Sequence, residues 1–231
     1  MAFASTLSGP RLPPARGAAT HLVVFVHGYG ANGEDLIALG QMWRKELPGC
    51  AFVAPNAPEP VPGAPGGYQW FGITRMDAAE LARGVEGAAD GLNKFVDAEL
   101  ARLSLPPEKL ILVGFSQGTM MSLHLGLTRS VKPLAVLGYS GMLAVPPAAP
   151  LHDCSPIMLI HGDADPMIPA SAMLAGVSEL GRAGAAVQWH ISAGTAHGIA
   201  EDGLALGGAF LSAAIAGRLV RKQPEISCPL G

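Results

Sequence analysis

The chain has 231 residues, of which 49% are hydrophobic and 14% charged, and its formal net charge is −3. That composition describes one large globular domain with a substantial core and excludes a disordered chain. The near-neutral balance, without a basic block, argues against nucleic acid as a partner.

Residues 1–20 contain no continuous apolar stretch behind basic residues, so no cleaved secretory signal is expected. Their Pro, Gly and Ala content reads as a loosely ordered lead-in to a single domain over residues 21–221, followed by a tail over 222–231. The three cysteines, Cys50, Cys154 and Cys228, form no CxxC pair. A disulfide framework or zinc site is therefore not expected, and a reducing cytoplasm is the expected location.

From residue 21 onward, strands and helices alternate. HLVVFVHG (21–28) is a continuous Val-rich apolar run ending in a glycine turn, the pattern of a strand buried on both faces. Further strands are predicted at 50–55, 109–115, 133–140, 156–162 and 186–192, with helices at 33–46, 77–104, 116–129, 169–183 and 198–221. This alternation predicts an α/β fold with a mostly parallel central sheet and helices on both faces. Apolar runs such as Leu22–Val26 and Leu110–Val113 are far shorter than the roughly 20 residues a membrane span requires.

The longest predicted helix carries Leu81, Val85, Ala88, Leu92, Phe95, Glu99 and Leu103 at three- and four-residue steps, an apolar stripe interrupted only by Glu99. Asp77 and Glu80 have the spacing of a capping box at its start, and Gly84, Gly87 and Gly91 suggest close packing on the sheet. Residues 55–76 and 142–153 are dense in Pro and Gly and are predicted as loops. Long loops in compact domains are often functional, and those beyond the carboxyl ends of parallel strands lie where ligands bind.

Gly114-Phe115-Ser116-Gln117-Gly118 stands between an apolar strand and a helix. A serine hydroxyl becomes a useful nucleophile when a sharp turn exposes it beside a base. Glycines two residues to either side permit that turn, and the following helix directs its amides and positive dipole end at the site. With 30 glycines, a bare GxSxG arises by chance roughly one time in five; the strand–turn–helix context carries the weight. The competing reading is a helix-capping serine.

The acid and base should follow in the chain order serine, acid, histidine. HGDADPMIP offers Asp163 and Asp165; Asp165 lies deeper in the turn and is preferred, with Asp163 read as a turn residue bonding its own backbone. His197, in a glycine-flanked loop between the last strand and last helix, is the loop histidine C-terminal to the acid. His27 and His161 each end a strand as His-Gly and read as residues that hold loop backbone together, whereas His21, His124, His152 and His190 suggest no partner. No HExxH or clustered Cys/His spacing supports a metal. Two backbone N–H groups should meet the oxyanion, one from Gln117 and the other from the glycine-rich loop 27–33, where Tyr29 is the candidate. That loop matches neither GxGxxG nor GxxxxGK[ST], so phosphate is a remote alternative.

With these pieces in place, the chain resembles the phospholipase/carboxylesterase family of α/β-hydrolases, which includes the acyl-protein thioesterases. FVHGYGANGEDL, APNAP, QWFGI, LVGFSQGTMMSL, SGML, HGDADPMIP and AGTAHGI run in family order across most of residues 22–199. The resemblance implies Ser116 as nucleophile, Asp165 as acid, His197 as base, oxyanion amides at Tyr29 and Gln117, and no cofactor. It also implies hydrolysis of carboxylic esters, with lysophospholipids or acyl-protein thioesters as alternatives. Tyr29, where eukaryotic thioesterases often have leucine, and the form QWFGI resemble the bacterial carboxylesterase branch more than a protein depalmitoylase.

The expected partner is a small-molecule ester, and a homodimer is left open. Trp70, Phe71, Met142, Leu143, Met167 and Ile168 are candidates for an apolar substrate pocket, each with ordinary packing as the alternative. A catalytically silent binding module on the same fold is the non-enzymatic alternative.

Overall fold

The computed structural model describes residues 7–219; residues 1–6 and 220–231, which include the expected tail 222–231, lie outside the described residues. In chain order the first elements are β1 (Arg11–Leu12), β2 (His21–Val26), α1 (Gly33–Trp43), β3 (Cys50–Val53), β4 (Glu59–Pro60), β5 (Tyr68–Gln69) and α2 (Ala78–Arg102). A 3-10 turn at Pro107–Lys109 leads into β6 (Leu110–Phe115), α3 (Gln117–Thr128), β7 (Ala135–Tyr139), β8 (Ile157–Gly162), α4 (Ala170–Arg182), β9 (Val187–Ser192) and α5 (Glu201–Ile215). Seven strands form one sheet in the order β1-β3-β2-β6-β7-β8-β9. Every pairing is parallel except β1 with β3. This is the mostly parallel α/β sheet expected from the alternation, and it accords with the α/β-hydrolase fold that the resemblance implies.

The period-two geometry of a strand sends successive side chains to opposite faces. Leu22, Val24, Leu110 and Leu112 accordingly pack with Leu81, Val85, Leu92 and Phe95 of α2, Met120 of α3 and Met173 of α4. Val23, Phe25, Ile111 and Val113 pack on the other face with Ile37 and Trp43 of α1 and Phe210 and Leu211 of α5. Burying a side chain of this kind stabilises the fold by about 1.5–3 kcal/mol, which explains why central strands read as unbroken apolar runs.

Several details differ from the sequence expectations. Residues 7–20, expected as a loose lead-in, contribute β1, whose Arg11 and Leu12 pair with Val53 and Phe52. The loop 55–76 carries a two-stranded ribbon of β4 and β5, tied by an isolated bridge from Tyr68 to Ala31. The capping box at Asp77 is only half made. Asp77 accepts the Glu80 N–H at 2.8 Å, but the Glu80 carboxylate turns back to Thr74, Arg75 and Met76. A complete capping box occurs instead at α1, between Asn32 and Asp35.

Gly84 packs on a loop aromatic, not on the sheet: a Cβ there would come within 2.2 Å of the Phe71 ring, whereas Gly87 and Gly91 face open space. Glu99, the interruption in the α2 stripe, is buried and bonded by Arg11 from β1 at 2.6 Å and by Arg102 at 2.8 Å. No helix among the described residues is long and apolar enough to cross a membrane.

Candidate active site

Ser116, Asp165 and His197 converge beyond the carboxyl ends of the parallel strands, where open α/β sheets place their ligands. Ser116 occupies the turn between β6 and α3 with φ +53°, a left-handed conformation that costs a non-glycine residue energy and marks functional turns. The flanking glycines make this turn sterically feasible. A Cβ at Gly114 would sit 2.4 Å from the Gly118 carbonyl oxygen, and one at Gly118 would sit 1.8 Å from the Val26 carbonyl oxygen at the end of β2.

His197 lies in the loop between β9 and α5. Its Nε2 is 2.9 Å from Ser116 Oγ and its Nδ1 is 2.7 Å from Asp165 Oδ2. The imidazole thus bridges a hydroxyl and a carboxylate, with the Phe115 ring tilted against it at a centroid distance of 5.1 Å. Hydrogen-bonding distances on both ring nitrogens suit Nδ1–H donation to Asp165 and leave Nε2 to accept the serine proton.

Asp165 follows β8 and is held by four contacts. Its Oδ1 accepts the backbone N–H groups of Met167 at 2.8 Å and Ile168 at 3.0 Å, while Oδ2 faces His197 and lies 3.1 Å from His161 Nε2. Burial by itself raises the carboxyl pKa, but the N–H groups of Ile168 and Met167 and the His197 ring outweigh it and hold Asp165 below the ordinary aspartate range. The carboxylate therefore stays ionised beside the imidazole.

The rival carboxylate, Asp163, does not reach His197. Nor does it bond its own turn, the role expected from the sequence: its Oδ1 accepts the Gly194 N–H at 2.6 Å, fixing the start of the histidine loop. The Ala164 N–H donates to the Thr195 carbonyl at 3.0 Å alongside it.

His27 and His161 hold loop backbone. His27 Nε2 accepts the Ala57 N–H at 2.9 Å and Nδ1 meets the Gly28 carbonyl at 2.8 Å; burial lowers its pKa, outweighing the opposing effect of the Gly28 carbonyl. His161 Nε2 lies 2.8 Å from the Ile168 carbonyl. His190, expected to have no evident partner, lies 2.8 Å from Asp202 Oδ2.

Tyr29 and Gln117 flank the serine. They line one cavity of about 300 Å³ together with Ser116, His197, Ile73, Met76, Met120, Met167 and Ile168. Of the six sequence-predicted pocket residues, Met167 and Ile168 reach this cavity. Trp70, Phe71, Met142 and Leu143 do not.

Trp70 is only 2% exposed, and its indole N–H donates to the His27 carbonyl at 2.9 Å. Phe71 is buried against Gly84, and Leu143 packs on Gly176 of α4. Met142 is half-buried against the core cluster on the α2 side of the sheet. The sequence reading missed Ile73, Met76 and Met120. Met120 lies one helical turn after Ser116, a spacing that could have identified it.

Similarity to known proteins extends over nearly the whole chain. The family model described as Phospholipase/Carboxylesterase matches residues 9–215. An acyl-protein thioesterase 1 of Gibberella zeae is 28% identical over 221 residues, covering 87% of this chain and 94% of that protein. Its counterpart in Schizosaccharomyces pombe is 31% identical over 164 residues, covering 66% and 72%. Among solved structures, esterase PE8 is 42% identical and superposes with a TM-score of 0.83, covering 89% of this chain and 97% of that one.

Proposed function

The chain belongs to the phospholipase/carboxylesterase family, and on that premise we propose that it is a serine carboxylesterase working through an acyl-enzyme on Ser116. The observation that carries this reading is the continuous relay from Asp165 Oδ2 to His197 and on to Ser116 Oγ, with distances of 2.7 and 2.9 Å.

Ser116 Oγ attacks the ester carbonyl carbon while His197 Nε2 takes the hydroxyl proton. The carbonyl oxygen gains the charge and is met by the backbone N–H groups of Tyr29 and Gln117, both at the cavity wall. The imidazolium, stabilised by Asp165, then protonates the departing alcohol as the carbon–oxygen bond breaks. Water repeats the sequence on the acyl-serine: His197 removes its proton, the carboxylic acid leaves, and the proton returns to Ser116 Oγ.

Ile73, Met76, Met120, Met167 and Ile168 give the cavity an apolar lining suited to a small-molecule ester. Met side chains adapt to several shapes, which fits a range of short acyl or alcohol groups. Cys50 and Cys154 are both buried, the Cys154 thiol donating to the Ser155 carbonyl at 3.3 Å; few cysteines and no CxxC pair support a reducing, cytoplasmic setting.

Thioester hydrolysis is the second reading, favoured by the relatives named acyl-protein thioesterases. Turnover of an oxygen ester and a thioester of one acyl group, measured in parallel on the wild type and Ser116→Ala, tests both. We expect faster ester turnover and its loss in the variant; thioester preference would select the second reading, and undiminished turnover in Ser116→Ala would overturn both.

A further inference from the structure

Ser140 is the residue at which the chain leaves β7, and the reaction outlined above makes no use of it. It is wholly buried and holds φ at +46°, in the left-handed region where a Cβ is sterically costly. Glycine would adopt that backbone without the cost. What serine adds is a hydroxyl, and that hydroxyl donates to the carbonyl of Gly198 at 2.8 Å. Gly198 immediately follows His197.

The same short segment also grips the serine turn. The Tyr139 carbonyl accepts the Ser116 N–H at 2.9 Å and the Thr119 hydroxyl at 2.8 Å. Gly141 presses on that turn from the other side: a Cβ there would lie 2.4 Å from Thr119 Cβ and 2.7 Å from the Ser116 carbonyl oxygen. The Ser140 N–H donates to the Ile160 carbonyl at 2.9 Å, anchoring the segment to β8. Residues 139–141 therefore touch the nucleophile's turn on one side and the histidine loop on the other.

We propose that Ser140 is a positioning residue for His197, its hydroxyl setting the 2.9 Å separation between His197 Nε2 and Ser116 Oγ. The inference rests on the esterase reading above. Asp163 and Ala164 fix the loop before His197, at Gly194 and Thr195; Ser140 fixes it after His197. Without that bond the loop can pivot about its N-terminal ties and carry the imidazole away from the hydroxyl. Proton transfer then suffers while substrate binding does not, because Ile73, Met76, Met120, Met167 and Ile168 come from other segments.

The test uses Ser140→Gly, which removes both the hydroxyl and the backbone cost, and Ser140→Ala, which removes the hydroxyl alone. Hydrolysis of p-nitrophenyl butyrate is measured per active site, with sites counted by fluorophosphonate titration and folding checked by thermal melting. Both variants should lose kcat by about 10- to 100-fold while KM stays within about twofold of wild type, the signature of a contact that matters in the transition state. The rate of fluorophosphonate labelling should fall in parallel.

Wild-type kcat per site in either folded variant, or a change confined to KM, overturns the proposal. A fall explained wholly by fewer folded molecules does the same. A wild-type protein inert to both ester and probe overturns the esterase reading and this inference with it. An active wild type with a fully active Ser140→Gly variant overturns this inference alone.

Discussion

The backbone N–H of Trp70 donates to the side-chain Oε1 of Gln117 at 2.9 Å, deep in the protein. The same carboxamide donates from Nε2 to the Phe71 carbonyl at 2.8 Å. One side chain thus ties the 70–71 loop to the first residue of α3, beside Ser116. The aromatic pair is buried behind Gln117 and does not line the cavity.

Gln117→Ala retains the backbone N–H proposed for the oxyanion but leaves the Trp70 N–H and Phe71 carbonyl buried without this partner. Each such group costs about 1–3 kcal/mol, so a loss of about 2–6 kcal/mol is expected. Urea unfolding measures it. A loss below about 1 kcal/mol would mean that water or a shifted loop replaces both bonds.

Arg11 and Glu99 join the first strand to the long helix across 88 residues of sequence. Burial of Glu99 raises its carboxyl pKa, but Arg11 and Arg102 outweigh that effect and keep it below the ordinary glutamate range. Arg11→Ala leaves a buried carboxylate with Arg102 as its remaining cation. The Arg11 side chain is 40% exposed, so solvent screening reduces the full cost of a broken buried pair, and a loss of about 1–2 kcal/mol is expected. The variant should melt lower yet keep its kcat. Unchanged melting would show that β1 is not held through this pair.

Burial lowers the pKa of His21, His27 and His124 below the ordinary value of 6.5. Between that value and the depressed folded ones, the unfolded chain binds protons that the folded chain does not. Stability must therefore fall as pH drops below about 6.5. In more acid solution Asp165 and Glu99, whose folded pKa values lie below the ordinary range, lose their stabilising contribution as pH falls through those folded values. Urea midpoints recorded from pH 7.5 to 5 should decline with acidity. A flat profile would contradict the buried neutral state of these histidines.

The Cys50 thiol is pushed up to about 12 by burial, and Cys154 is buried as well. Since the thiolate is the reactive form, neither should react with Ellman's reagent at pH 8 in the folded protein. Cys228→Ser removes the cysteine outside the described residues, and thiol release from that variant should then follow unfolding by urea. Rapid labelling in its absence would show that this part of the fold opens locally.

The sequence made the relay legible because each member sits in a short local pattern: Ser116 between two glycines, Asp165 after a strand, and His197 in a glycine-flanked loop. Chain order then linked them. Long-range relationships were not legible in this way. A two-residue strand such as β1 has no periodicity to detect, and the pairing of Arg11 with Glu99 announces itself only as a charge interrupting an apolar stripe.

Trp70 and Phe71 show a second limit. An aromatic in a loop near a site serves equally well as pocket wall or as buried support, and the choice depends on where a distant residue, Gln117, places its carboxamide. Ser140 is visible in the sequence only as the first residue of SGML; its positive φ and its bond to the Gly198 carbonyl depend on segments distant in the chain.

The proposed chemistry requires Ser116 to be a nucleophile activated by His197. Intact-mass analysis after exposure to a fluorophosphonate, with the adduct located by peptide mapping, tests it most directly. One adduct per chain, on Ser116, is expected, greatly slowed in a folded His197→Ala variant. Absence of an adduct on folded wild-type protein, an adduct on another residue, or equal labelling without the imidazole would contradict it.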